Sequence, residues 1–263
     1  MNIPLFHVDA FTDKPFAGNP AAVCILTDQR PDAWMQQVGA EMNLSETAFV
    51  NKEANGFRLR WFTPKVEVDL CGHATLASAH VLWEEGYAKP AEIIRFHTRS
   101  GELTATRNAG VIELDFPLIP EEPAPEPPGL ADALGVPFKY VGKGRFDYLL
   151  EVDSEATLRK LAPNFRVLSN LTIRGVIVTS RSARPEFDFV SRFFAPGAGI
   201  DEDPVTGSAH CCLAAYWRKR LHKDSFVAYQ ASARGGVVLV RVNGDRAILG
   251  GQAVTVSKGS LLA

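Results

Sequence analysis

The stretch GHATLASAHVLW, residues 72–83, decides how this chain is read. It opens on glycine, runs through small apolar residues, and from Ala74 to Trp83 places no charge on any face. A helix apolar all round belongs in an interior. A second stretch of the same kind, GSAHCCLAAYW, begins at Gly207 and is uncharged from Ala209 to Trp217. Around both, the chain reads as short β-rich runs (FRLRWF, VIELDF, GVIVTS, FDFVSRFF, VVLVRV, AVTVSKGSLL) separated by Gly, Pro or Asn. One buried helix among many strands, found twice, predicts an α+β fold. Each half is a strongly curved sheet around a central helix, and a cleft is expected between the halves.

The order of motifs predicts an internal duplication. RWFTP (Arg60 to Pro64) returns as RFFAP (Arg192 to Pro196), 132 positions later, and a Gly-led small-residue helix follows each. Upstream, GNPAAVCIL from Gly18 stands 126 positions before GRFDYLLEV from Gly144. A surface helix is expected after each, over Asp32 to Met42 and Glu155 to Leu161. Between the halves, Pro117 to Gly129 holds six prolines and three glutamates and reads as an extended, exposed connector. The predicted division is residues 1–116, a connector over 117–129, and 130–263, with the last strand free to cross to the first half.

Composition narrows the function. The chain has 263 residues, 46% hydrophobic and 22% charged, with a formal net charge of −2. Such a chain is soluble and globular, without the basic stripe that nucleic-acid binding requires. No run approaches 18 apolar residues, and the N-terminus lacks the pattern of a secretory signal, so a cytoplasmic protein without a membrane partner is expected. The four cysteines, Cys24, Cys71, Cys211 and Cys212, form no C-x-x-C pair and predict no disulfide framework. They and the neighbouring histidines lack four-ligand spacing, so no metal is expected. No P-loop or strand-to-helix G-x-G-x-x-G appears, so no nucleotide cofactor is implied.

The chemistry-bearing residues gather at the two helix mouths. A helix N-terminus presents unpaired N–H groups and favours anions. The backbone near Gly72-His73 and Gly207-Ser208 is therefore a candidate carboxylate holder; the alternative is that both glycines only permit a tight turn. His73, on the first helical turn, is expected to be pushed toward its neutral form, unless it is a satisfied core histidine. Cys71, just before a helix, would have a lowered pKa if reactive and otherwise is structural. Thr206 stands at the matching position before Gly207, so symmetric two-thiol chemistry lacks its second member. Asp203 in EDPVTGSAH is a cleft carboxylate or a turn residue. Glu46 in LSETAF is a general acid–base or a turn glutamate. Asn19 in AGNPAAV is a turn former or a side-chain amide in the site.

The combination of HVDAFTDKPFAGNPAAV, LSETAFV, RWFTPKVEVDLCGHAT, RFFAPGAGIDEDPVTGSA and GGQAVTVSKGSLL resembles the PhzF-like phenazine-biosynthesis family over nearly the whole chain. The resemblance implies a diaminopimelate epimerase-like fold and a homodimer. It also implies a cofactor-independent isomerase that moves a proton within a small carboxylate. It places the proton-transfer glutamate at Glu46, the assisting histidine at His73, the aspartate at Asp203 and the small polar residue at Ser208. The substrate carboxylate would lie at Gly72-His73 and Gly207-Ser208. CGHA and EDPVTGSA replace the AGHP and EDAATGSA of the phenazine enzyme, so that enzyme's substrate is not carried over. Two other functions stay open: an amino-acid racemase or epimerase using Cys71, and a metabolite-binding protein without catalysis.

Overall fold

The structure, a computed structural model, describes residues 2–262. It forms two compact units. Unit 1 takes in the chain up to Asp115 and again from Gly250 onward; unit 2 is Phe116–Leu249.

Unit 1 contains β1 (Ile3–Ala10), β2 (Asn19–Leu26), α1 (Asp32–Met42), β3 (Glu46–Glu53), β4 (Gly56–Phe62), β5 (Glu67–Val68), α2 (Gly72–Glu84), β6 (Ile94–Thr98) and β7 (Gly101–Asn108). The strand β8 (Val111–Pro117) closes this run. Unit 2 continues with β9 (Glu122–Pro123), α3 (Leu130–Leu134), β10 (Tyr140–Lys143), β11 (Tyr148–Glu151), α4 (Glu155–Lys160), α5 (Phe165–Leu168), β12 (Val176–Arg181) and β13 (Phe189–Phe194). After it come α6 (Gly207–Leu221), β14 (Ser225–Gln230), β15 (Gly236–Asn243) and β16 (Arg246–Gly251), and β17 (Ala253–Leu261) ends the described chain in unit 1.

The pairings repeat. In unit 1, β1–β2 is antiparallel, β2–β3 parallel, β3–β4 antiparallel, β4–β6 parallel and β6–β7 antiparallel. In unit 2, β10–β11, β11–β12, β12–β13, β13–β14 and β14–β15 follow the same alternation. The register agrees with the sequence repeat: Phe62 lies opposite Thr47, and Phe194, 132 positions on, lies opposite Val176.

The two central helices are interior, as their uncharged faces require. In α2, every residue from His73 to Trp83 except His80 is buried, and the helix packs on β1, β2, β3 and β17. In α6, Ala209 to Trp217 are all buried. Neither helix has a side-chain cap at its N-terminus. Such a cap contributes about 1 kcal/mol. Burying one Leu or Val contributes roughly 1.5–3 kcal/mol. Packing therefore holds these helices in place, and their mouths need no capping side chain. The expected surface helix at Asp32–Met42 is α1; the one at Glu155–Leu161 is α4, one residue shorter.

The proline-rich segment is not a bare connector. Glu122 and Pro123 form β9 and pair with Lys143 and Gly142. Glu121 is buried, 3.4 Å from both the Tyr140 hydroxyl and the Lys219 ammonium. Proline favours extended backbone, and here that backbone gains strand partners instead of solvent. Among the described residues, no helix is long and apolar enough to cross a membrane.

Candidate active site

Repeated arginine forks set both helix mouths. Arg60 on β4 donates from Nε and Nη2 to the two oxygens of Glu67, each at 2.7 Å. Arg192 on β13 does the same to Glu202, each at 2.8 Å. Each glutamate lies five residues before the glycine that opens the central helix. The third nitrogen of each arginine ties in a surface helix. Arg60 Nη1 reaches Asp32 at the start of α1, at 2.7 Å; Arg192 Nη1 reaches the Leu161 carbonyl after α4, at 2.8 Å. A bidentate guanidinium–carboxylate pair fixes angle as well as distance. Strand, helix mouth and surface helix are thus pinned together in each unit. The sequence shows the repeated arginines and the Glu202 carboxylate, but not that Glu67 and Glu202 pair with them; their equal distance from Gly72 and Gly207 was the available signal.

A second repeated detail lies inside each helix. The Thr75 hydroxyl donates to the Cys71 carbonyl at 2.5 Å, and His210 Nδ1 donates to the Thr206 carbonyl at 2.8 Å. Because a carbonyl only accepts, Nδ1 of His210 carries the hydrogen. His210 is fully buried, which pushes its pKa down to about 4 and leaves it neutral at pH 7. Sequence reading considered it only as a soft metal ligand; its role here is structural.

At the mouth of α2, unit 1 gathers four of the chemistry-bearing side chains. Asn19 opens β2 and Glu46 opens the neighbouring parallel strand β3, where it lies opposite Ala21. His73 is the second residue of α2 and is 3% exposed. Its Nε2 stands 3.1 Å from Glu46 Oε2; its Nδ1 stands 3.0 Å from Asn19 Nδ2 and 3.5 Å from Cys71 Sγ. The Glu46 side chain is 13% exposed, open enough to meet a ligand and dry enough to strengthen its partner contacts.

The electrostatics differ from the sequence expectation at two residues. Burial works against a charged His73, but Cys71 and Glu46 beside it outweigh that, and His73 titrates well above the ordinary histidine value. The helix end was expected to keep it neutral; Cys71 and Glu46 together are the stronger influence. With Asn19 Nδ2 facing Nδ1 the ring is neutral and its hydrogen, on Nε2, points at Glu46. With that amide turned over, Asn19 Oδ1 accepts from a protonated Nδ1. Cys71 was expected to have a lowered pKa if reactive. Burial, followed by the Glu46 charge, instead pushes its thiol up to about 11. A thiol at the N-cap of a buried helix is out of water, and desolvation opposes the thiolate.

Glu46, Cys71 and His73 bring one donor atom each within 4.8 Å, a grouping that could hold a metal. The spacing argument against a metal did not count Glu46. The imidazole of His73 contacts both the thiol and the carboxylate.

At the mouth of α6, unit 2 builds a different network. Asp203 is 9% exposed and accepts from the Thr206 hydroxyl at 2.5 Å. Gln230, fully buried, donates to the Asp203 carbonyl at 2.7 Å and accepts from the Thr206 amide at 2.9 Å. Ser208, the second residue of α6, accepts from Arg174 Nη2 at 3.2 Å. Arg174 in turn forks onto the buried Asp147, through Nε at 2.8 Å and through Nη2. Thr206 matches Cys71 in position but spends its hydroxyl and amide within this network. Gln230, Arg174 and Asp147 were not singled out from sequence, because they lie 22 or more positions from Ser208 in the chain. The structure thus places Asn19, Gly72, His73 and Glu46 at one mouth and Asp203, Gly207 and Ser208 at the other.

Residues 8–259 match the model of the PhzC-PhzF family, described as phenazine biosynthesis-like protein. The chain belongs to that family. An uncharacterized isomerase of Halalkalibacterium halodurans is 55% identical over 100% of this chain and 99% of its own. An uncharacterized isomerase of Pseudomonas aeruginosa is 50% identical over 99% of each chain. Among solved structures, a PhzF-family phenazine biosynthesis protein of Enterococcus faecalis superposes with a TM-score of 0.95 at 44% identity, covering 100% of both chains. The α+β architecture of two units, each built on a curved sheet around one central helix, is that of the PhzF and epimerase-like folds.

Proposed function

We propose that this PhzF-family protein is an isomerase that shifts a proton within a small carboxylate substrate without a cofactor. The observation that carries the reading is Glu46 Oε2 held 3.1 Å from Nε2 of the buried His73. A positioned carboxylate with an imidazole behind it can take a proton from an activated carbon and return it to another. Glu46 is the carrier. His73 orients it and buffers its charge, and Asn19 adjusts to either ring state. Gly72 and His73 supply backbone N–H groups for a substrate carboxylate, and Gly207 and Ser208 do so in unit 2. Asp203 is assigned to the same reaction by family resemblance, and its carboxylate is oriented by Thr206. The isomerase names of the full-length relatives support the reaction class.

The grouping within unit 1 bears on the racemase reading. Two bases that invert a carbon must stand on its opposite faces, roughly 6–7 Å apart, twice the near-attack distance. The donor atoms of Glu46, Cys71 and His73 all lie within 4.8 Å. They therefore suit delivery and return on one face. The thiol's high pKa also argues against Cys71 as the base.

The test is deuterium wash-in. A panel of cyclic and amino carboxylates is incubated with the protein in D₂O and followed by proton NMR. The reading predicts exchange at one C–H position of at least one compound, retained in Cys71→Ser. No exchange across the panel sinks the reading, as does dependence on Cys71 with independence from Glu46.

A further inference from the structure

The duplication allows the two mouths to be compared position by position, and they diverge where the chemistry lies. Thr47 lies opposite Phe62 and beside Ala22; Val176 lies opposite Phe194 and beside Tyr148. Glu46 therefore corresponds to Gly175, and Ala21, its neighbour on β2, corresponds to Asp147. His73 and Ser208 are each the second residue of their central helix. Where unit 1 sets a carboxylate against an imidazole, unit 2 has moved the carboxylate one strand over and inserted Arg174 between it and Ser208.

This arrangement is built, not incidental. Asp147 is 5% exposed and takes Nε and Nη2 of Arg174 through both its oxygens. The guanidinium lies over the rings of Phe146 and Phe193, 4.9 and 5.9 Å from their centroids. Gly175 is required: a Cβ there would meet the Phe193 ring at 2.4 Å and Asp147 Oδ1 at 3.2 Å. The fork is thus clamped at one edge and set against two aromatic rings, while the side chain stays 42% exposed. Its Nη1 donates to no other described residue. A planar guanidinium held in this way offers its remaining edge to an anionic oxygen group at little further cost in ordering.

We propose that Arg174 is the specificity-determining residue of unit 2, its Nη1 edge and the Ser208 hydroxyl together binding a carboxylate of the substrate. Within the duplicated frame, unit 1 keeps the carboxylate–imidazole pair, and unit 2 carries a cation suited to an acid in its place. Asp147 is a positioning residue, since it acts through Arg174. The proposal rests on the reading that the substrate is a carboxylate.

Malonate serves as the probe, titrated into the intact protein and followed by NMR at the Ser208 amide, with inorganic phosphate as the comparison anion. The wild type is expected to bind malonate saturably. Arg174→Gln should weaken it at least about tenfold, which corresponds to about 1.4 kcal/mol, and Arg174→Lys should weaken it less. Arg174→Gln leaves Asp147 buried without a partner, so the double variant Arg174→Gln/Asp147→Asn is measured as well and should show the same loss with an unchanged melting temperature. Equal malonate affinity in the wild type and the double variant overturns the proposal, as does a wild type that binds phosphate but not malonate. If Arg174 is dispensable while Glu46→Gln still abolishes deuterium exchange, this proposal alone fails and the isomerase reading survives.

Discussion

His73 lies between two acids, and its proton is governed by both. Burial favours the neutral ring, but Cys71 and Glu46 raise its pKa well above the ordinary value. A group whose folded pKa is raised contributes stability below its unfolded pKa, near 6.5, and loses it as pH rises through the folded value. Removing the Glu46 charge takes away one of the two opposing influences. In Glu46→Gln, nitrogen-15 titration of the His73 ring should therefore give a lower pKa than in the wild type; an unchanged or higher value would show that the carboxylate does not govern the ring. His210 behaves in the opposite way. Its pKa is pushed down to about 4, so the unfolded chain takes up a proton between about pH 6.5 and 4 while the folded chain does not. At about 1.4 kcal/mol per pH unit, this one residue should cost about 3 kcal/mol of stability across that window. Urea unfolding at pH 6.5 and 4.5 should show about 2 kcal/mol of that loss in the wild type and a smaller loss in His210→Gln. Equal losses would contradict the assignment. Glu46, His73 and Asn19 were legible as candidates from their motifs. Their charge states were not, because pKa depends on neighbours in space: Glu46 stands 27 positions from His73 in the chain.

At the scale of elements, each helix mouth is suspended from an arginine fork. Glu67 and Glu202 are mostly buried, and losing the fork would leave either without its partner. Breaking such a pair costs on the order of 2–4 kcal/mol, well above the value of an exposed ion pair. Arg60→Met and Arg192→Met should each lower the denaturation midpoint by that order, while Arg95→Met, which breaks the exposed pair with Glu102, should lie within about 0.5 kcal/mol of the wild type. Comparable effects from all three would show that the forks do not hold the mouths. The central helices were the most legible elements, since an uncharged run beginning at glycine has few places to go except an interior. The proline-rich segment was the least legible. Its composition marks extended backbone, but whether that backbone finds a strand partner depends on β10, which carries no signal of its own.

For the whole molecule, the repeated strand alternation and the matched forks show one frame used twice, and the side chains at the two mouths differ. The motif order made the duplication legible. The difference between the two mouths was not legible, because a shared frame says nothing of what each copy has exchanged: a carboxylate for Gly175, a histidine for Ser208, a cysteine for Thr206. On this account, Glu46 in unit 1 is the proton carrier, and Ser208 in unit 2 is a binding residue. Deuterium wash-in compared between Glu46→Gln and Ser208→Ala, on a compound the wild type exchanges, tests that claim most directly. The account predicts that Glu46→Gln loses at least about a thousandfold in rate even at saturating substrate, more than a missing binding contact removes. Ser208→Ala should keep most of its maximal rate and need more substrate to reach it. Exchange by Glu46→Gln at the wild-type rate would contradict the account.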